Sequence, residues 1–259
     1  MITNNFTEQL FFSTVRIELP DHQTMGTGFI CEAKAENGNN YQFLVTNKHV
    51  ISSSKDNIKL VFNVKDTKIN MANFGQTYQV EVNKIDKDAY FTHPKDNVDL
   101  ACINISEVFN QGIDVFWVSI MMDFIADYKT DGVLAGNDIF FVGYPSDRYD
   151  RINNLPILRS GKIASLPQIN FENESKILID AQVFPGSSGS PVFSVCNGQY
   201  KFIGVVCSTM IRNHKIEITD KKNFANFQQT IGIGLVIKSD CVKELLESAI
   251  TISNLYQKD

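Results

Sequence analysis

Gly186-Ser187-Ser188-Gly189-Ser190-Pro191-Val192 decides how this chain is read. A serine stands between two glycines, and strand-like residues follow it. A nucleophilic serine needs such a turn, because its hydroxyl must project into solvent while backbone N–H groups face the same point in space. Gly186 can take φ values closed to other residues, and Gly189 lets the backbone pass close to a substrate. Pro185 fixes φ just ahead of the turn. By itself, Gly-Ser-Ser-Gly-Ser is also ordinary loop composition, so the reading depends on what the rest of the chain supplies.

Upstream, Phe43-Leu44-Val45-Thr46-Asn47-Lys48-His49-Val50-Ile51 reads as an apolar strand delivering a histidine. Between the two stands Asn97-Val98-Asp99-Leu100-Ala101-Cys102-Ile103, where an aspartate opens a second apolar run. A hydroxyl is a poor nucleophile at neutral pH. It needs a base to take its proton, and the base needs a carboxylate to fix its tautomer and stabilise the imidazolium. His49, Asp99 and Ser188 supply these three parts. Of the other histidines, His22 and His214 read as members of polar loops, and His93, in Thr92-His93-Pro94, as structural. Asp96 is the rival carboxylate, but Asp99 directly precedes the apolar run and is preferred. A serine between glycines also marks α/β-hydrolases, which place Ser first and His last. The order His, Asp, Ser and the lack of strand–helix alternation weigh against that fold.

These segments together resemble the chymotrypsin-fold, trypsin-like serine proteases, and most of all the HtrA-type and related single-domain bacterial peptidases. Thr46-Asn47-Lys48-His49-Val50 resembles their T-N-x-H-V box, and Asp99-Leu100-Ala101 their D-[IL]-A box. Asp180 to Pro191 resembles D-A-x-x-x-P-G-N-S-G-G-P. Gly26-Thr27-Gly28, Val142-Gly143-Tyr144-Pro145, Ser160-Gly161-Lys162-Ile163, Ile203-Gly204-Val205-Val206 and Gly234 to Ser239 extend the likeness over roughly residues 10 to 250.

The resemblance implies an all-β fold of two antiparallel six-stranded β-barrels with a C-terminal α-helix. Short apolar runs between turn signals agree with it: Phe11 to Leu19, Gly28 to Ala33, Tyr41 to Val45, Ile58 to Val64, Tyr78 to Ile85 and Leu100 to Ile105, then Asp138 to Gly143, Leu158 to Ala164, Lys176 to Ala181, Pro191 to Val195, Tyr200 to Ser208 and Ile231 to Ile237. Turn signals at Gly112 and Asp131-Gly132 divide them into residues 1–120, which carry His49 and Asp99, and 121–259, which carry Ser188. A helix is expected after Ile237, with Val242, Leu245, Leu246, Ala249 and Ile250 on one face and no PDZ module after it.

For function, the resemblance implies an intracellular serine endopeptidase working through Ser188, His49 and Asp99 and an acyl-enzyme, with protein or peptide substrates and no cofactor or metal. The alternative is a catalytically silent protein-binding module on the same fold. The resemblance assigns the oxyanion hole to the N–H groups of Gly186 and Ser188, and the pocket before the scissile bond to Gln182, Val183, Phe184, Cys207, Thr209 and Gly234. Gln182 stands where a trypsin pocket has its carboxylate, so a small to medium apolar or polar residue is the expected occupant. Ser187 is uncharged where secreted relatives have an aspartate that pairs with a newly cut N-terminus, so activation by such a cut is not expected.

Net charge is −5 with a pI near 5.4, which gives no reason to expect a nucleic-acid partner. No run approaches the roughly 20 apolar residues of a membrane span, and Met1 to Glu8 have no basic or apolar leader pattern. Five cysteines, an odd number without a paired spacing, read as free thiols in a reducing, cytoplasmic setting.

Overall fold

A computed structural model of the chain describes residues 5–20, 24–35, 37–52, 58–82, 89–110, 112, 114–218 and 223–256. The first four residues, His22 and the end of the Tyr78–Ile85 run lie outside them. The first half holds β1 (Thr14–Leu19), β2 (Thr24–Lys34), β3 (Asn40–Thr46), β4 (Ile58–Asp66), β5 (Met71–Val82), β6 (Tyr90–Thr92) and β7 (Ala101–Asn104). These pair in the order β5-β4-β1-β2-β3-β7-β6. Two short strands complete a nine-stranded sheet, β8 (Val115–Phe116) beside β4 and β9 (Ile120–Met121) beside β2. The second half holds β10 (Asp138–Gly143), β11 (Ile157–Ile163), β12 (Lys176–Asp180), β13 (Pro191–Cys196), β14 (Gln199–Ile218) and β15 (Asn223–Lys238). They close a six-stranded barrel in the order β10-β11-β12-β15-β14-β13. The all-β expectation holds, with a second barrel of six strands and a first sheet of nine.

Each half has its own core. Ile17, Ile30, Leu44, Ile58 and Leu60 fill the first sheet, and Ile139, Phe141, Ile177, Ile179 and Val192 the barrel. A third core lies where the halves meet. Phe29, Phe43 and Leu100 come from the first half, and Val142, Phe193 and Val205 from the barrel. The helix α4 (Ser239–Tyr256) closes it with Val242, Leu245, Leu246 and Ala249, all fully buried. Full burial of a Val or Leu contributes about 1.5–3 kcal/mol, so this seam fixes the two halves, and the residues at their junction, against each other.

The N-terminal side departs from the expected pattern. Phe11 to Leu19 reads as one strand, yet Phe6–Ser13 form a helix, α1, before β1 begins. Asn5 caps it, its side-chain oxygen accepting from the Thr7 N–H at 3.0 Å, and Glu8 stands three residues after the cap, the spacing of a capping box. Phe6 then stacks on Tyr200 and Phe124 and meets Phe193 edge-on, which seats α1 on the barrel. His214 also departs from its reading: it lies on β14 opposite Phe227, with Nε2 3.1 Å from Gln229 Oε1. None of the helices is long and apolar enough, among the described residues, to cross a membrane.

Candidate active site

The turn around Ser188 consists of two consecutive reversals. Ser187 N–H donates to Phe184 C=O at 3.0 Å, and Ser190 N–H to Ser187 C=O at 3.0 Å. In the first, Pro185 and then Gly186, with φ +85°, occupy the central positions; in the second, Ser188 and then Gly189, with φ +89°. A left-handed residue in the third place is what a type II turn requires, and proline is favoured in the second. Space alone also demands these glycines. A Cβ on Gly186 would come within 2.4 Å of Tyr144 O, and one on Gly189 within 1.9 Å of Thr27 O.

The same hydrogen bonds orient two unused donors. A peptide unit is planar and trans, so fixing its C=O points its N–H the other way. Pro185 C=O accepts from Ser146 N–H at 2.6 Å, and Ser187 C=O is held by Ser190. The N–H groups of Gly186 and Ser188 therefore face away from these partners, and among the described residues neither has an acceptor. Ser146 and Asp147, in the strap that supplies the first of these bonds, both have positive φ (45° and 56°), a conformation that costs a non-glycine residue energy.

His49 is delivered differently from the expectation. The strand β3 stops at Thr46, and His49 sits on a short helix, α2 (Lys48–Ser52). Val50 and Ile51 turn into the first core, and Val50 packs so closely that a Cβ on Gly26 would lie 2.4 Å from it. Asp99 follows a tight strap after β6, pinned by the buried Val98 and Leu100 and by His93 N–H donating to Leu100 C=O at 2.9 Å. Its carboxylate meets His49 twice: Oδ1 accepts from the His49 backbone N–H at 3.0 Å, and Oδ2 lies 2.5 Å from Nδ1. The aspartate thus satisfies a free donor at the start of the helix that carries the histidine while also holding the ring. Asn47 Nδ2 donates to Asp99 C=O at 2.8 Å, which gives the asparagine of the histidine box a physical role. Asp96 is exposed, and its backbone carbonyl accepts from Lys48 Nζ at 3.4 Å.

His49 and Ser188 share a cleft of about 320 Å³ with Leu19, Met25, Gly26, Val50, Pro185 and Gly186. Ser188 Oγ donates to Cys207 C=O at 3.3 Å. Burial pushes the Cys207 thiol up to about 11, so it stays protonated beside the serine at neutral pH. The six pocket candidates lie off the lining of this cleft, although Thr209 pairs with Gly234 across β14 and β15 and Gly234 lies against Val183. Val183 is buried in the barrel core against Gly234, and Cys207 in the central core. Phe184 lies under the Arg159 guanidinium, 4.9 Å from the ring centre, and Gln182 is exposed. Thr209 Oγ1 donates to Ile233 C=O at 3.2 Å. Leu19 and Met25 line the cleft without having been foreseen; their nearness in sequence to Gly26-Thr27-Gly28 is the one signal that pointed there.

Thr27 joins the halves at this point. Its hydroxyl donates to Gly186 C=O at 2.7 Å and accepts from Tyr144 N–H at 3.1 Å. Its N–H donates to Ser188 C=O at 3.3 Å, and its own C=O accepts from Thr46 Oγ1 at 2.7 Å. Thr27→Val keeps the shape, removes the hydroxyl and leaves a buried carbonyl and N–H unpaired. The expected result is a loss of about 2 kcal/mol or more of stability, read as a lower urea midpoint.

The strap carrying Asp99 is also latched to α4. Lys95 Nζ pairs with Glu244 at 2.8 Å, and the buried His93 ring has Nδ1 accepting from Lys95 N–H at 3.0 Å and Nε2 3.5 Å from Glu244. Burial lowers the His93 pKa, against the pull of Glu244 and with Lys95 and Lys48 nearby. The folded state therefore refuses a proton that the unfolded chain accepts below about pH 6.5. Stability is full above that pH and is lost as pH falls below it. Urea midpoints should drop between about pH 7 and pH 5.5, and the drop should be smaller in His93→Gln.

A serine turn with two unused N–H donors, and a His–Asp pair on the same cleft between a sheet and a barrel, define a chymotrypsin-fold protein. The comparisons agree. A family model for the trypsin-like peptidase domain matches residues 26–205, and the chain belongs to that family. No curated protein sequence matches it. Among solved structures, human heparin binding protein aligns with a TM-score of 0.54 and 12% identity, over 92% of this chain and 91% of its own. An inactivated protease paralogue of the scabies mite aligns with a TM-score of 0.52 and 11% identity, over 94% and 97%. At such identities the likeness is one of fold. The family match does not single out the HtrA-type branch.

Proposed function

We propose that this chain is a cytosolic serine endopeptidase that cleaves protein or peptide substrates through Ser188, His49 and Asp99. The observation that carries the reading is the double contact of Asp99 with His49 on the cleft that also holds Ser188. Asp99 Oδ2 beside Nδ1 favours the tautomer that leaves Nε2 free to accept a proton. For reaction, the Ser188 hydroxyl turns from Cys207 C=O toward His49. His49 takes its proton as Oγ bonds to the substrate carbonyl carbon, and the Gly186 and Ser188 N–H groups receive the developing oxyanion. His49 then passes the proton to the leaving amine as the C–N bond breaks, and water repeats the sequence on the acyl-enzyme. Gln182, Thr209 and Gly234 remain the candidates for selecting the residue before the scissile bond. The cytosolic assignment is supported by five cysteines that are all unpaired and buried.

The second reading, a silent binding module, draws on the Ser188 hydroxyl lying on Cys207 C=O. A fluorophosphonate probe separates the two. Stoichiometric labelling of the intact chain, together with cleavage of a peptide library, is the result expected of a peptidase; a folded chain that takes up no probe is the binding module.

A further inference from the structure

A second cavity of about 320 Å³ opens on the first sheet, away from the serine. Its walls come from α1, from the β4–β5 hairpin at Lys65, Asn70 and Met71, and from the run Val115 to Val118. Backbone bonds hold these walls. Val118 N–H donates to Phe12 C=O at 3.1 Å, which ties the run to α1, and Lys65 N–H donates to Asp114 C=O at 2.8 Å, which ties it to the hairpin. None of the lining residues belongs to the cleft that holds Ser188. Leu19 of that cleft ends β1 next to Glu18, which pairs with Lys59. Lys65 lies further along β4 by about 20 Å, at about 3.3 Å per residue.

Two donors on these walls lack acceptors. The half-buried Lys65 ammonium has no hydrogen bond or ion pair among the described residues. Asp66 beside it accepts from Lys68 N–H at 2.9 Å instead. The indole N–H of the half-buried Trp117 has no acceptor among the described residues either, although an indole N–H taken out of water ordinarily finds one. The apolar part of the wall is aromatic. Trp117 stacks on Phe109 with ring centres 4.4 Å apart, and Phe116 meets Phe12 edge-on at 4.9 Å. Met71 lines the same space, and a thioether sulfur packs favourably against ring edges. An ammonium and an N–H without acceptors call for an anionic oxygen, and the ring surfaces call for a flat apolar body. A single unpaired cation suits a single anionic group, and a cavity of this size suits a small molecule. We propose that this cavity binds a small aromatic anion, a ring carrying one carboxylate or phosphate, with the anionic group on the Lys65 ammonium and an acceptor atom on the Trp117 N–H. The site is the same whether the chain is a peptidase or a silent binding module.

Trp117 is the chain's one tryptophan, so its fluorescence reports on this wall. Adenosine monophosphate and phenylacetate are the two probes, one for each anionic group, titrated against the full-length chain. At least one should change the emission saturably and raise the urea midpoint, as a ligand of the folded state does. Adenosine, inorganic phosphate and hexanoate each lack the charge or the ring, and should bind at least about tenfold more weakly than the better probe. Lys65→Met should weaken that probe by at least about tenfold, and Lys65→Glu should abolish its binding. The urea midpoints of both variants without ligand should stay close to wild type, as for most surface changes. Ser188→Ala should bind as wild type does, because the cavity and the cleft share no residue. Saturation by adenosine monophosphate alone assigns a phosphate, and saturation by phenylacetate alone a carboxylate; either supports the site. An emission that neither probe changes overturns the inference, and so does binding that survives Lys65→Glu. Binding lost in Ser188→Ala places the probe in the serine cleft and overturns it too. Hexanoate bound as tightly as phenylacetate overturns the choice of an aromatic occupant.

Discussion

Ser188→Ala is expected to abolish fluorophosphonate labelling and to lower kcat for peptide cleavage by about six orders of magnitude, the scale at which loss of a serine nucleophile acts elsewhere. The fold should be unchanged. Ser188 Oγ makes one hydrogen bond, to Cys207 C=O, and the turn is held by backbone bonds at Ser187, Gly189 and Ser190 that alanine retains. The unfolding free energy in urea should therefore change by less than about 1 kcal/mol, the net worth of one ordinary hydrogen bond. Loss of the hydroxyl removes the atom that forms the acyl bond, whereas the N–H donors of Gly186 and Ser188 stay in place. Any residual rate should thus come from oxyanion binding and positioning alone. A folded Ser188→Ala protein that cleaves at the wild-type rate would remove Ser188 from the mechanism.

How much of this was legible in the chain follows from the range of the forces involved. β10 runs from Asp138 to Gly143 as its apolar run indicates, because its neighbours bury it by local pattern. The turn around Ser188 was legible because proline and glycine carry their backbone preferences with them wherever they stand. The helix α2 was not. Thr46 to Ile51 read as strand, and what turns the chain is a carboxylate 50 residues away that satisfies the His49 N–H. The helix α1 was not read from the sequence: the apolar run through Phe11 and Phe12 passed for strand, and the capping residue Asn5 lies ahead of it. The stretch beyond Ser208, where β14 and β15 run on paired with each other from Ile211↔Thr230 to Ile218↔Asn223, was illegible. Where its side chains are described, at Ile211 to His214 and Phe227 to Thr230, both faces are partly exposed, so alternation gives no signal, and its register is fixed by pairing across the hairpin. The pocket candidates rested on resemblance, and packing sends Val183 and Cys207 into two different cores.

Asp99→Asn is expected to lower kcat by about four orders of magnitude with little change in KM, the scale on which loss of the carboxylate acts in a Ser-His-Asp triad. The geometry here explains why the amide cannot adapt. The carboxylate accepts twice, from the His49 backbone N–H through Oδ1 and at Nδ1 through Oδ2. Asparagine has one acceptor and one donor group. The backbone N–H can only donate, so it claims the amide oxygen. The NH₂ group is then left facing Nδ1, which must become an acceptor, and the imidazole proton moves to Nε2. A histidine protonated at Nε2 cannot take the Ser188 proton. The pH–rate profile should show the lost tautomer: activity should recover as pH rises and hydroxide replaces the base, where the wild type levels off. Asp96→Asn is the control, because the Asp96 side chain is exposed and its backbone carbonyl, which the substitution keeps, is what accepts from Lys48 Nζ; its kcat should stay within about twofold of wild type, as for most surface changes. If Asp96→Asn instead reproduces the loss while Asp99→Asn leaves kcat intact, the carboxylate that orients His49 in the reacting enzyme is Asp96, and the strap between Thr92 and Leu100 must rearrange on binding substrate.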